Sequence, residues 1–231
     1  MRSYKTEGII IKRRNFGEGD RILTVLTKTY GKIQVKAPGV RKITSRRSSH
    51  IELLNIAFLS LYRNSYSFFP IVTEAEAQEE FLSIKKSLKK IGFAYYICEL
   101  IDSLCAQNQE NRRVFFLVKE TLFKLANSKN DYAQEFRSRH SGESAQRTTP
   151  ESPSFKIMRD SGRAHSSLAR MTEGGESLSI IGNFEDELLV TLGFLPRQHK
   201  LLDKRTFIES ILEKKLKTRR LLPLFLSNNE R

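Results

Sequence analysis

Residues Tyr4–Arg47 read YKTEGIIIKRRNFGEGDRILTVLTKTYGKIQVKAPGVRKITSRR, and they decide how the chain is organised. The β-branched run Ile9-Ile10-Ile11 marks a strand over Tyr4–Arg14. Arg13, Arg14 and Asn15 break the apolar pattern, and Gly17 and Gly19 permit a tight turn. A second strand spans Arg21–Thr29, with Ile22, Thr24 and Leu26 on one face and Leu23, Val25 and Thr27 on the other. Tyr30-Gly31 supplies a hairpin, because glycine takes positive φ freely. In a third strand, Lys32–Ala37, alternation sends Ile33, Val35 and Ala37 inward and Lys32, Gln34 and Lys36 outward. The loop Pro38–Ser49 then carries Arg41, Lys42, Arg46 and Arg47 with no acid between them. Such a loop either contacts phosphates or only keeps the surface solvated.

Further on, Glu52–Arg63 and Tyr66–Glu74 are two more strands, joined by a turn at Arg63-Asn64-Ser65, with Pro70 forcing an edge or bulge. Five short strands with hairpin punctuation predict a small β-barrel, an OB-fold with an SH3-like barrel as competitor. Over residues 1–63 the bases include Lys12, Arg13, Arg14, Arg21, Lys32 and Lys36 as well as the loop arginines, against only Glu7, Glu18, Asp20 and Glu52. Most of the chain's net charge of +14 therefore sits in the barrel. Charge of that size favours polyanionic partners and says nothing about fold. The apolar run after Met1 is too short for a signal peptide, and no run approaches a membrane span. A cytoplasmic, nucleoid-associated protein is expected.

Beyond residue 76 the apolar period changes from two to helical. Helices are predicted over Ala75–Lys90, Phe93–Ala106 (separated by Gly92) and Asn111–Ala126. Helical signal returns over Ile180–Leu192, capped by Asn183, and over Asp203–Arg220. The fold class is therefore α+β multidomain: an OB-fold over 1–76, then an α-helical bundle from 77–126 and 180–222. Residues 127–179 are rich in Ser, Arg, Glu, Thr and Gly and read as a disordered insertion. Lys214, Lys215, Lys217, Arg219 and Arg220 form a possible second basic patch, although cations near a helix C-terminus are also ordinary dipole chemistry.

No phosphate-binding P-loop, Gly-x-Ser-x-Gly or His-Glu-x-x-His is present. Glu18 and Asp20 could be paired metal carboxylates of a nuclease, but a turn acid pairing with Arg21 or Arg14 is the simpler reading. Cys98 and Cys105 lie seven apart on one helix face, too far for a mutual disulfide, and read as reduced thiols. The four histidines are scattered. A binding protein without a metal or cofactor is expected, rather than an enzyme.

These residues also resemble a known family. Gly8-Ile9-Ile10, Gly17-Glu18-Gly19-Asp20-Arg21-Ile22-Leu23, Thr27 with Tyr30-Gly31-Lys32, Gly39-Val40-Arg41-Lys42 and Ser45-Arg46 are similar, in order and spacing, to the bacterial RecO family of recombination mediators. So are Thr73-Glu74-Ala75-Glu76, Tyr96-Ile97-Cys98-Glu99-Leu100, Asn111 with Phe115, and Phe184–Pro196. Many members carry four zinc-finger-like cysteines after the last of these segments. Here RQHKLLDKRTF follows Pro196, so no zinc is carried over. The resemblance implies an OB-fold that binds single- and double-stranded DNA, strand annealing, and help in loading RecA in the RecF pathway. It implies RecR and the tail of single-stranded-DNA-binding protein as partners. An RNA-binding OB-fold protein of translation is the alternative on charge alone.

Overall fold

The computed structural model describes residues 2–63, 66–128, 175–196 and 203–218. Strands β1 (Arg2–Phe16), β2 (Asp20–Thr27), β3 (Gly31–Ala37), β4 (Ile56–Arg63) and β5 (Ile71–Glu79) close into a barrel in the order β1-β2-β3-β5-β4. All neighbours are antiparallel except β3 and β5, which meet in parallel where Lys36 faces Ile71. The α+β class and the OB-type barrel expected from the sequence are both present.

The Ile9-Ile10-Ile11 run is apolar throughout because its strand is buried on both sides. Ile10 points into the barrel with Leu23, Val25, Val35 and Leu59. Ile9 and Ile11 point outward, with Leu26 and Ile56, into a second core built with the helices around Phe93, Tyr96, Phe115 and Phe184. The β1–β2 register slips between Ile10 and Lys12. That bulge re-aims the rest of β1, placing Lys12 opposite Thr24 and Arg14 opposite Ile22.

Strand β5 starts after Pro70, whose carbonyl accepts from the Lys36 amide at 2.8 Å, and runs to Glu79. The predicted helix over Ala75–Lys90 is therefore corrected. Ala75 and Ala77 pair with Leu59 and Ala57, and this pairing overrides the helix-favouring composition of Ala75–Glu79. Helix α1 is only Leu82–Lys85. Helix α2, Leu88–Leu104, runs through Gly92, which is buried inside it and separates nothing. Helix α3, Arg112–Asn127, is capped by Asn111, whose side chain accepts from the Val114 amide at 3.1 Å. Helix α4 spans Gly175–Thr191, so Asn183 sits within it and is no cap. Helix α5, Lys204–Leu212, starts at Asp203 and stops at Glu213 in left-handed conformation. Lys214, Lys215 and Lys217 therefore follow the helix rather than ride on it. Arg219, Arg220 and residues 129–174, which hold most of the predicted insertion and both His140 and His165, lie outside the described residues.

Polar contacts fix the helices on the barrel. Lys119 reaches Glu7 at 2.7 Å, and the Asn108 amide donates to the Lys32 carbonyl at 2.8 Å. Gly31 is required twice: its φ is +66°, and a Cβ there would stand 1.8 Å from the Gln109 carbonyl oxygen.

Candidate nucleic-acid interface

The outward side chains of β1, β2 and β3 lie in register. Arg14, Ile22 and Lys36 make one row; Lys12, Thr24 and Gln34 make the next; Leu26 and Lys32 make a third. The third row is covered by the helices; in the first two, Lys12 and Arg14 are exposed, whereas Ile22 and Thr24 are buried. Between these two rows lies a depression of about 170 Å³ lined by Lys12, Arg14, Ile22, Thr24 and Gln34. This is the strand 2–3 face on which OB-folds hold oligonucleotides.

Lys12, in the trough, and Lys36, in the row beside it, are each paired with an acid. Lys36 Nζ lies 2.9 Å from Asp20 and 5.1 Å from the centre of the Phe16 ring. Asp20 also accepts from the Gly39 amide at 2.8 Å. That amide and the Lys36 ammonium hold the Asp20 carboxyl below its usual pKa. Asp20 is thus a turn acid, with Lys36 as its partner rather than Arg21 or Arg14. Lys12 Nζ lies 2.7 Å from Asp102 of α2, with the lysine side chain 59% exposed. An ion pair that open to water is worth about 0–1 kcal/mol, so a phosphate can take its place. Phe16 stays 46% exposed beside Lys36.

The loop after β3 borders the trough. The Arg41 amide donates to Gly19 O at 2.9 Å, and its guanidinium donates to Gly17 O at 3.1 Å. Arg41, Lys42 and Arg46 are exposed. Arg13 and Arg21 are directed to the other side, where both pair with Glu52.

Two candidate cations are corrected. Lys32 does not face solvent: it is 5% exposed, and its ammonium donates to the Asp102 carbonyl at 2.5 Å. It shares the covered end of the face with Leu26, so alternation placed it on the right side but could not show that a helix lies there. Burial lowers its pKa, opposed by the Asp102 charge and reinforced by the charges of Lys12 and Lys214. Arg47 is also occupied, donating to the carbonyls of Val72 at 2.6 Å, Pro38 at 2.9 Å and Thr73 at 3.2 Å. It ties the basic loop to β5.

Lys214, Lys215 and Lys217, the described part of the second basic patch, lie on the segment packed against α2 one turn before Asp102. The segment is held there by Glu99, which accepts from the Lys217 and Thr218 amides at 2.7 and 2.9 Å. Lys214, Lys215 and Lys217 are exposed on it. Thr24 and Gln34 are neighbours across β2 and β3; only the β1 bulge, invisible to simple alternation, turns Lys12 and Arg14 to the same face. Cys98 and Cys105 are free thiols, pushed up to about 12 and about 11 by burial. Among the described residues no group of three or more metal-ligating side chains converges, and no helix is long and apolar enough to cross a membrane.

Comparison with known proteins points the same way. Residues 1–79 match the family model described as recombination protein O N terminal, and residues 85–138 match recombination protein O C terminal. Together these cover more than half of the chain. A DNA repair protein RecO from Roseiflexus sp. (strain RS-1) is 41% identical over 123 residues, covering 52% of this chain and 42% of the relative. Its namesake from Pelotomaculum thermopropionicum is 34% identical over 126 residues, covering 54% and 48%. That from Dehalococcoides mccartyi (strain BAV1) is 38% identical over 124 residues, covering 54% and 48%. The matched segment spans about half the length of these curated relatives. With the N-terminal and C-terminal models of one family matched in order over residues 1–79 and 85–138, the chain belongs to the recombination protein O family.

Proposed function

We propose that the chain is a DNA repair and recombination mediator that binds single- and double-stranded DNA through the trough on β1, β2 and β3 and turns nothing over chemically. The observation that carries this reading is the trough itself: Lys12 and Arg14 beside Ile22, Thr24 and Gln34, on the face OB-folds use, with Lys36 across from Ile22 and the exposed Phe16 ring next to it. The relatives are named DNA repair proteins, which favours DNA over an RNA ligand of translation.

By the same reading the chain anneals complementary strands and helps load RecA in the RecF pathway, with RecR and the tail of single-stranded-DNA-binding protein as partners, and works at the nucleoid. The basic segment held by Glu99 lies one turn of α2 from the Lys12–Asp102 pair, and two basic surfaces so placed suit annealing, because each can neutralise the phosphates of one strand. Annealing of complementary oligonucleotides coated with single-stranded-DNA-binding protein tests it. The rate should rise on adding the chain, with strand lengths unchanged in magnesium or manganese. No acceleration, or cleavage of the strands, would contradict it.

A further inference from the structure

Beside the trough lies a larger cleft of about 940 Å³, at the upper end of the roughly 300–1,000 Å³ typical of ligand sites. It opens between β3, the β2–β3 hairpin and the β4–β5 connection. Its walls are aromatic. Tyr4 and Tyr30 stack edge to face at 4.7 Å, Phe68 and Phe69 do so at 4.8 Å, and Tyr66 completes the set. Tyr66 and Phe68 are 94% and 88% exposed, so their ring faces meet solvent. A contiguous exposed apolar surface rimmed by polar residues marks a binding site.

The surroundings say which partner. Gln34 lines both this cleft and the trough, so one ligand can run from one into the other. Arg63 lines the cleft too, and its charge acts on Tyr4. Glu110 is the one acid among the described lining residues. An occupant must therefore combine flat apolar faces with negative charge continuing along β1–β3. We propose that the cleft receives unpaired nucleobases of a strand whose phosphates lie on Lys12, Arg14 and Lys36. This rests on the nucleic-acid reading of the trough and adds to it a reason for strand selectivity. A duplex keeps its bases stacked and paired and cannot offer them to Tyr30, Tyr66 and Phe68. A single strand can, and stacking on aromatic rings is worth about 1–3 kcal/mol per base.

The test compares three ligands of equal length on the full chain: oligothymidylate, an abasic sugar-phosphate oligomer, and duplex DNA. The wild type should bind oligothymidylate roughly tenfold or more tighter than the abasic oligomer, the change that about 1–3 kcal/mol per base brings. With seven tyrosines and no tryptophan, its intrinsic fluorescence should be quenched by the bases and not by the abasic strand. The double variant Tyr66→Ala/Phe68→Ala should lose the preference while keeping its affinity for the abasic oligomer and the duplex, which also shows that it is folded. Phe68→Trp, which retains a stacking face, should keep the preference. A wild type without preference for bases would overturn the proposal. So would a double variant that retains the preference, the result expected if the cleft holds an apolar peptide instead. Failure of the wild type to bind any of the three would instead overturn the reading of the trough and this one with it.

Discussion

Arg46 and Arg47 are adjacent and chemically identical, yet they do opposite things. Arg46 is exposed, whereas the Arg47 guanidinium satisfies three backbone carbonyls on two segments. A hydrogen bond from a charged donor contributes about 1.5–3 kcal/mol, and removing it leaves those carbonyls short of a partner. Arg47→Ala should therefore lower unfolding free energy by about 1–3 kcal/mol in urea titrations. Arg46→Ala should stay within about 0.5 kcal/mol of wild type and weaken DNA binding in low salt. Equal stability of the two variants would show that the loop is not anchored as described. Sequence distinguishes neither residue, because both stand in one acid-free run, and only the position of β5 separates them.

Lys32 belongs to an element rather than to a surface. Helix α2 ends at Leu104, and carbonyls in a last turn have no amide four residues on. The Lys32 ammonium fills that need at Asp102 and sits at the negative end of the helix dipole. Burial nonetheless lowers its pKa, so the folded chain holds this proton less tightly than the unfolded chain does. Its contribution to stability must therefore rise as pH climbs through the folded pKa, levelling off above the unfolded value near 10.4. Thermal unfolding of wild type and Lys32→Met should show the wild type gaining on the variant across that alkaline interval. A constant difference at all pH values would contradict it. The existence of five strands could be read from the sequence because most alternate or end at a Gly or Pro signal, although the fifth runs over Ile71–Glu79 rather than Tyr66–Glu74. The start of the helical region could not, because Ala75–Glu79 favours helix locally and is held extended only by β4. Helix coverage of the face at Leu26 and Lys32 is likewise a long-range fact that no local pattern carries.

Over the whole molecule, two cores share β1: Ile10 serves the barrel, while Ile9 and Ile11 serve the junction with the helices. The helices therefore close one end of the outer face and leave the other end open. The open end holds Lys12, Arg14 and Lys36, and the segment held by Glu99 carries Lys214, Lys215 and Lys217 beside α2. Charge concentrated in the barrel segment is thus sorted by the fold into trough, border loop and internal ties. That sorting can be measured as the salt dependence of oligothymidylate binding by wild type and by the triple variant Lys12→Ala/Arg14→Ala/Lys36→Ala. Each lost phosphate contact on a single strand removes about 0.7 from the slope of log affinity against log salt. The triple variant should bind more weakly at low salt with a slope shallower by roughly 2. Unchanged affinity and slope would place the nucleic acid elsewhere on the molecule.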